Sequence, residues 1–127
     1  MKQMTEKPQE IRERTFQFAL QTFRVCQHID DCEKLFIITK QLARSACSVG
    51  ANVREARNAE SKNDFIHKLS IALKECDESV YWMELLIELS NWKKEELKGL
   101  RDESEQLIRI LSAIILKSKS NSNWTKR

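Results

Sequence analysis

Apolar residues recur along this chain at alternating spacings of three and four, the pattern of helices that each bury one stripe. The sorting is clearest from Gln41 to Glu55, QLARSACSVGANVRE. Leu42, Ala46, Val49 and Val53 fall on one side, and Lys40, Arg44, Cys47, Ala51 and Arg54 on the other. A packing stripe and a small-plus-basic stripe therefore run back to back. With Leu35, Ile38 and Ala56 the apolar stripe predicts a helix over about 33–59. Gly50 in its interior should cost roughly 1 kcal/mol relative to alanine, so its place among Ala43, Cys47 and Ala51 predicts the close approach of another backbone.

The same reading predicts three more helices. The first begins near Pro8, whose fixed φ suits a first turn, and runs to about Ile29, with Phe16, Ala19, Phe23 and Cys26 as its inward seam and Phe18, Leu20 and Val25 off it. Asp30 and Asp31 are candidate N-caps for the second helix. Ser61 followed by Asp64 opens the third helix, about 62–90, in the manner of a capping box, making the preceding turn tight and the second and third helices antiparallel neighbours. Its seam is Ile66, Leu69, Leu73, Cys76, Val80, Met83 and Ile87. Trp82, Leu85, Leu86 and Leu89 form a second apolar patch, which one bundle core cannot absorb and which predicts a subunit interface. The fourth helix, about Trp92–Lys117, turns Leu97, Leu100, Ser104, Leu107, Leu111 and Ile114 inward. Four long helices, short connections and no period-two alternation define an all-α fold, an antiparallel up-down-up-down four-helix bundle over 1–120 with a flexible basic tail over 121–127.

Composition adds bounds. The chain has 127 residues, enough for one core, and only two glycines and one proline for turns. Its net charge of +3 is mild but unevenly placed: five basic against three acidic residues in 33–61, three against six in 62–91, nine against five in 92–127. That alternation predicts complementary surfaces within or between chains. The first ten residues, MKQMTEKPQE, hold no signal-peptide core, and no run is apolar over the length of a membrane span, so the expected location is cytoplasmic. The four cysteines, at 26, 32, 47 and 76, form no CxxC pair and suggest neither a zinc site nor a disulfide framework.

Candidate chemistry is sparse. Asp64 and His67 have the i, i+3 spacing of bundle metal sites, but the pair has no second copy and Asp64 has a capping role, so neither metal nor cofactor is expected. Cys26 and Cys76 lie on core seams, where a thiol acts as a small hydrophobe. His28, in the last turn of its helix, suits the dipole there. No phosphate loop, nucleophile elbow or paired-carboxylate cleft is present, which argues against an enzyme. The sharper feature is the basic stripe. Lys40, Arg44 and Arg54, with Arg57 further round, cover roughly 20 Å of helix and could follow the phosphates of RNA or DNA. The competing expectation is that these cations pair with Glu75, Glu78, Glu84 or Glu88 of the third helix. Lys117, Lys119, Trp124, Lys126 and Arg127 could add cationic contacts and one stacking ring.

The stretches LARSACSVGANVREA and SKNDFIHKLSIALKE carry a family resemblance. Leu42, Arg44, Ser45, Ser48, Val49, Asn52, Val53 and Glu55, then Ser61, Lys62, Asp64, Phe65, Leu69, Ala72, Leu73 and Glu75, resemble the four-helix bundle family of proteins encoded in intervening sequences of bacterial 23S ribosomal RNA genes, together with the accessory variability determinants of diversity-generating retroelements. The resemblance covers about 20–90. Where many relatives carry a glycine-rich stretch after the second helix, this chain has Ala56-Arg57-Asn58-Ala59-Glu60. The resemblance implies a homopentameric ring of bundles with no known catalytic residues. In the retroelement branch it implies a basic protein that binds nucleic acid and a reverse transcriptase, for which a charge of +3 is low. The resulting expectation is a non-enzymatic homo-oligomer that binds RNA or DNA through Lys40, Arg44, Arg54 and Arg57, with a protein-protein assembly module as the alternative.

Overall fold

A computed structural model describes residues 8–32 and 34–121. Four helices, α1 (Pro8–Cys32), α2 (Phe36–Ala56), α3 (Lys62–Leu89) and α4 (Lys94–Ser120), follow one another through short connections, with no strand among the described residues. Each packs on its neighbours in the chain, α4 closes on α1 along a lighter contact, and the diagonal pairs α1/α3 and α2/α4 stand further apart across the core. This is the four-helix bundle that the periodicity predicts. The expected tail, apart from Asn121, lies outside the described residues.

The connections are set by identifiable groups. Ser61 Oγ accepts from Asp64 N at 3.0 Å, while Asp64 Oδ2 accepts from the Glu60 N–H at 3.3 Å, so the predicted capping exchange opens α3 one residue out of its usual register. Between α3 and α4, buried Ser90 holds the turn: its Oγ accepts from Trp92 N and donates to Trp92 O. Lys93 then takes the left-handed conformation (φ 58°) before α4 starts at Lys94, two residues later than the pattern predicts. The expected caps Asp30 and Asp31 are not N-caps. Both belong to α1, α2 begins only at Phe36, and Asp30 Oδ1 instead accepts from Thr39 Oγ1, tying the end of α1 to the first turn of α2.

The cores of α2 and α4 follow the predicted seams: Leu42, Ala46, Val49, Val53 and Ala56 are buried on α2, and Leu97, Leu100, Ser104, Leu107 and Leu111 on α4, where Ile110 joins them. On α1 the structure corrects the reading. Phe16 and Phe23 are about half exposed (48% and 47%), and the buried line is Ile11, Thr15, Phe18, Thr22, Val25, Cys26 and Ile29, rotated by about a quarter turn at 100° per residue. Two threonines disguise it. Thr15 satisfies its hydroxyl on the Ile11 carbonyl of its own helix at 2.8 Å; Thr22 Oγ1 is buried without a hydrogen-bond partner. On α3 the buried line is Phe65, Leu69, Ala72, Cys76, Ser79, Met83, Leu86 and Ile87. Leu86 is therefore core and not the surface residue expected.

Candidate assembly and nucleic-acid surfaces

The basic stripe of α2 is divided by its neighbours. Arg44 leans over α3, with Nη1 donating to Glu75 Oε2 at 3.2 Å and Nη2 to a closer Glu78 Oε2. The Trp82 indole N–H donates to the same Glu78 oxygen at 3.0 Å. Those two donors, the indole first and the guanidinium second, hold the Glu78 carboxyl below the usual carboxylate range. Arg44 is thus spent within the chain, as the competing expectation had it. Lys40, Arg54 and Arg57 are exposed, and none makes an ion pair among the described residues.

Lys40 and Arg54 border a groove between α1 and α2. It is two hollows end to end. One, of about 360 Å³, is lined by Arg12, Phe16, Ala19, Cys47, Gly50, Ala51, Arg54 and Glu55; the other, of about 340 Å³, by Phe23, Asp30, Phe36, Lys40 and Ala43 among others. Its floor is made of small residues, and the rings of Phe16, Phe23 and Phe36 stand at its walls, each about half in solvent. Periodicity alone found this stripe on α1 but pointed it inward, because a helix apolar on two sides does not say which one the bundle takes.

Of the residues expected at an interface on α3, not all lie at the surface. With Leu86 buried, Leu89 is exposed, Leu85 and Trp82 are partly buried, and Tyr81 stands beside them half exposed. Charge surrounds this patch: Asp77, Glu84 and Glu88 are exposed and form no ion pair among the described residues.

A third opening, about 630 Å³, lies where α1 and α4 diverge over Phe18, Val25 and Leu100. The two-toothed pair of Arg14 with Glu103, 2.7 and 2.8 Å, bolts its rim. Among the described residues no group of three or more histidine, cysteine or acidic side chains could hold a metal. Asp64 is engaged in its cap, leaving His67 alone on an exposed face. His28 meets the edge of Trp92 at 5.9 Å. Burial pushes the Cys26 and Cys76 thiols up to about 12, which makes them packing groups and not nucleophiles at neutral pH. No helix of the described residues is long and apolar enough to cross a membrane.

These features define a four-helix bundle with a groove between α1 and α2 and a partly apolar, acidic face on α3. The model of the 23S rRNA-intervening sequence protein family matches residues 7–113, and the chain belongs to that family. Among solved structures it is similar to a protein of unknown function from the S23 ribosomal protein family of Bacteroides thetaiotaomicron, with 34% identity, a TM-score of 0.79, and coverage of 87% of this chain and 99% of that one. A comparison with curated proteins returns no match.

Proposed function

We propose that this protein is a non-enzymatic homo-oligomer, five copies being the state that the family resemblance implies, and that it assembles through the α1–α2 face. One observation carries this reading: Phe16 and Phe23, two turns apart on α1, and Phe36 of α2 stand half exposed around a floor of small residues on one side of the bundle. Leaving such a surface in water forgoes burial of about 25 cal/mol for each Å² of apolar area, and patches of this kind mark interaction sites. Sedimentation velocity over a range of concentrations tests it. The wild type sediments as an oligomer, and Phe16→Ser with Phe23→Ser, which touches no buried position, sediments as a monomer of unchanged helicity. A wild type that is monomeric at every concentration overturns the reading.

A second reading, binding of RNA or DNA, is favoured by Lys40, Arg54 and Arg57, which are exposed and make no ion pair among the described residues. With Arg44 neutralised by two carboxylates, the stripe offers three cations per chain, a weak phosphate site that only several copies side by side would make effective. Titration with structured RNA and duplex DNA at two salt concentrations tests it. Binding that weakens with salt and is lost in Arg57→Glu, a position outside the groove lining, supports it; absence of binding at low salt leaves assembly as the sole function proposed.

A further inference from the structure

Each chain carries two partly apolar faces, not one. The α1–α2 groove is the first. The second is the outer side of α3, where Asp77, Tyr81, Glu84, Leu85 and Glu88 fall within an arc of about 100° and Leu89 borders them. Because α1 and α3 are diagonal in the bundle, the two faces look in different directions. A contact between like faces can cover only one of them, leaving the other in water on both copies.

Charge separates the two further. At the groove the exposed or partly exposed cations are Arg12, Lys40 and Arg54. Two acids also line it: Glu55, paired with Lys68 at 3.0 Å, and Asp30, which accepts from the Thr39 hydroxyl and keeps its charge, so the three cations outnumber the one uncompensated acid. A groove laid on a second groove sets cations beside cations. The α3 face carries the opposite sign, since Asp77, Glu84 and Glu88 outnumber the exposed Lys74 in the same arc. Its shape also suits: Tyr81 and Leu85, one turn apart on a helix, form a ridge, and a floor of Ala19, Ala43, Cys47 and Ala51 between phenylalanine walls is a trough of the kind a ridge enters.

Resting on the reading that the α1–α2 face is the self-association surface, we propose that what fills this groove is the outer face of α3 of a second copy, Tyr81 and Leu85 entering it and the acids flanking them meeting its cations. The contact is head-to-tail, so every copy offers one groove and one ridge and assembly continues until the chain of copies closes.

Two variants at exposed positions test it by mixing. Phe16→Ser with Arg54→Glu blocks the groove and leaves the ridge; Tyr81→Ser with Glu84→Lys blocks the ridge and leaves the groove. Circular dichroism checks that both keep their helicity, and the single changes Arg54→Glu and Glu84→Lys replace a pair that does not. In sedimentation velocity each is monomeric alone, and an equimolar mixture forms a one-to-one heterodimer and nothing larger, since only one intact groove and one intact ridge can meet. A ridge-blocked variant that keeps the wild-type size while the groove-blocked one is monomeric overturns this proposal and leaves the self-association reading standing. So does a mixture that stays monomeric. A wild type that never assembles overturns both.

Discussion

Gly50 of α2 lies against the main chain of Thr15 in α1: a Cβ built on it would stand 3.4 Å from the Thr15 carbonyl oxygen, 3.6 Å from its carbon and 3.8 Å from the Phe16 nitrogen. The close backbone approach expected from a glycine inside this helix is therefore an approach within one chain. Those distances are ordinary contact, so Gly50→Ala should fit and recover part of the roughly 1 kcal/mol that glycine costs a helix interior. We expect its urea midpoint to rise. Gly50→Val, whose branches must enter the space held by the α1 backbone, should lower the midpoint, a loss of stability of about 1–3 kcal/mol. A midpoint lowered by alanine would show that α1 cannot give way even slightly at this point.

Small residues also bring α2 against α3. The Ser45 and Ser79 hydroxyls meet at 2.8 Å inside the core, and each also reaches a carbonyl of its own helix, Ser45 that of Leu42 and Ser79 that of Glu75. Two protons serve three contacts, and two arrangements use both: Ser45 donating to Ser79 and Ser79 to the Glu75 carbonyl, or Ser79 donating to Ser45 and Ser45 to the Leu42 carbonyl. Ser45→Ala then costs about 1 kcal/mol, and Ser79→Ala a similar amount. Their combination should cost less than the sum, because the shared bond is lost only once. Denaturation of the two single variants and the double variant measures this coupling, and strict additivity would mean that the hydroxyls do not interact.

How much of this was legible in the sequence depended on whether a helix offered one apolar stripe or two. Leu42, Ala46, Val49 and Val53 had no rival on α2, and the structure buries all four. On α1 the stripe of Phe16, Ala19 and Phe23 competed with Phe18, Val25 and Ile29. The bundle chose the second, completing it with Thr15 and Thr22, which hydropathy reads as polar. Leu86 was misplaced for the same reason, since on a helix apolar over a wide arc the boundary between core and surface is set by neighbouring helices. The basic stripe could be located from spacing, but the capture of Arg44 by Glu75 and Glu78 depends on the register of α2 against α3, which no single-helix pattern encodes.

That capture gives a pH dependence. Trp82 and Arg44 hold the Glu78 carboxyl below its ordinary range, so the folded form binds a proton less readily than the unfolded one. The stabilisation is present above the ordinary carboxylate pKa of about 4.3 and is lost as pH falls through the lower folded value. Because Arg44 and Glu78 are well exposed, 48% and 38% at the side chain, the effect should stay below about 1 kcal/mol. We expect the urea midpoint of the wild type to fall further than that of Glu78→Gln between pH 6 and about pH 3. Parallel curves for the two proteins would remove Glu78 from the account of acid sensitivity.

The cysteines report on the groove. Cys26 and Cys76 are buried, and burial raises both thiols to about 12, so they should resist alkylation until the bundle opens. Cys32 and Cys47 are exposed and should react in the native protein. Their positions differ in a useful way: Cys47 lies in the floor of the α1–α2 groove, whereas Cys32 ends α1, with its sulfur 3.6 Å from His28 Nε2 and outside that groove's lining. If a second copy fills the groove, raising the protein concentration through the assembly range slows labelling at Cys47 and leaves Cys32 unchanged. Mass spectrometry of peptides labelled for short times resolves the two sites. Equal rates at Cys47 on both sides of an assembly transition seen by sedimentation would move the contact off this face, whatever the number of copies joined.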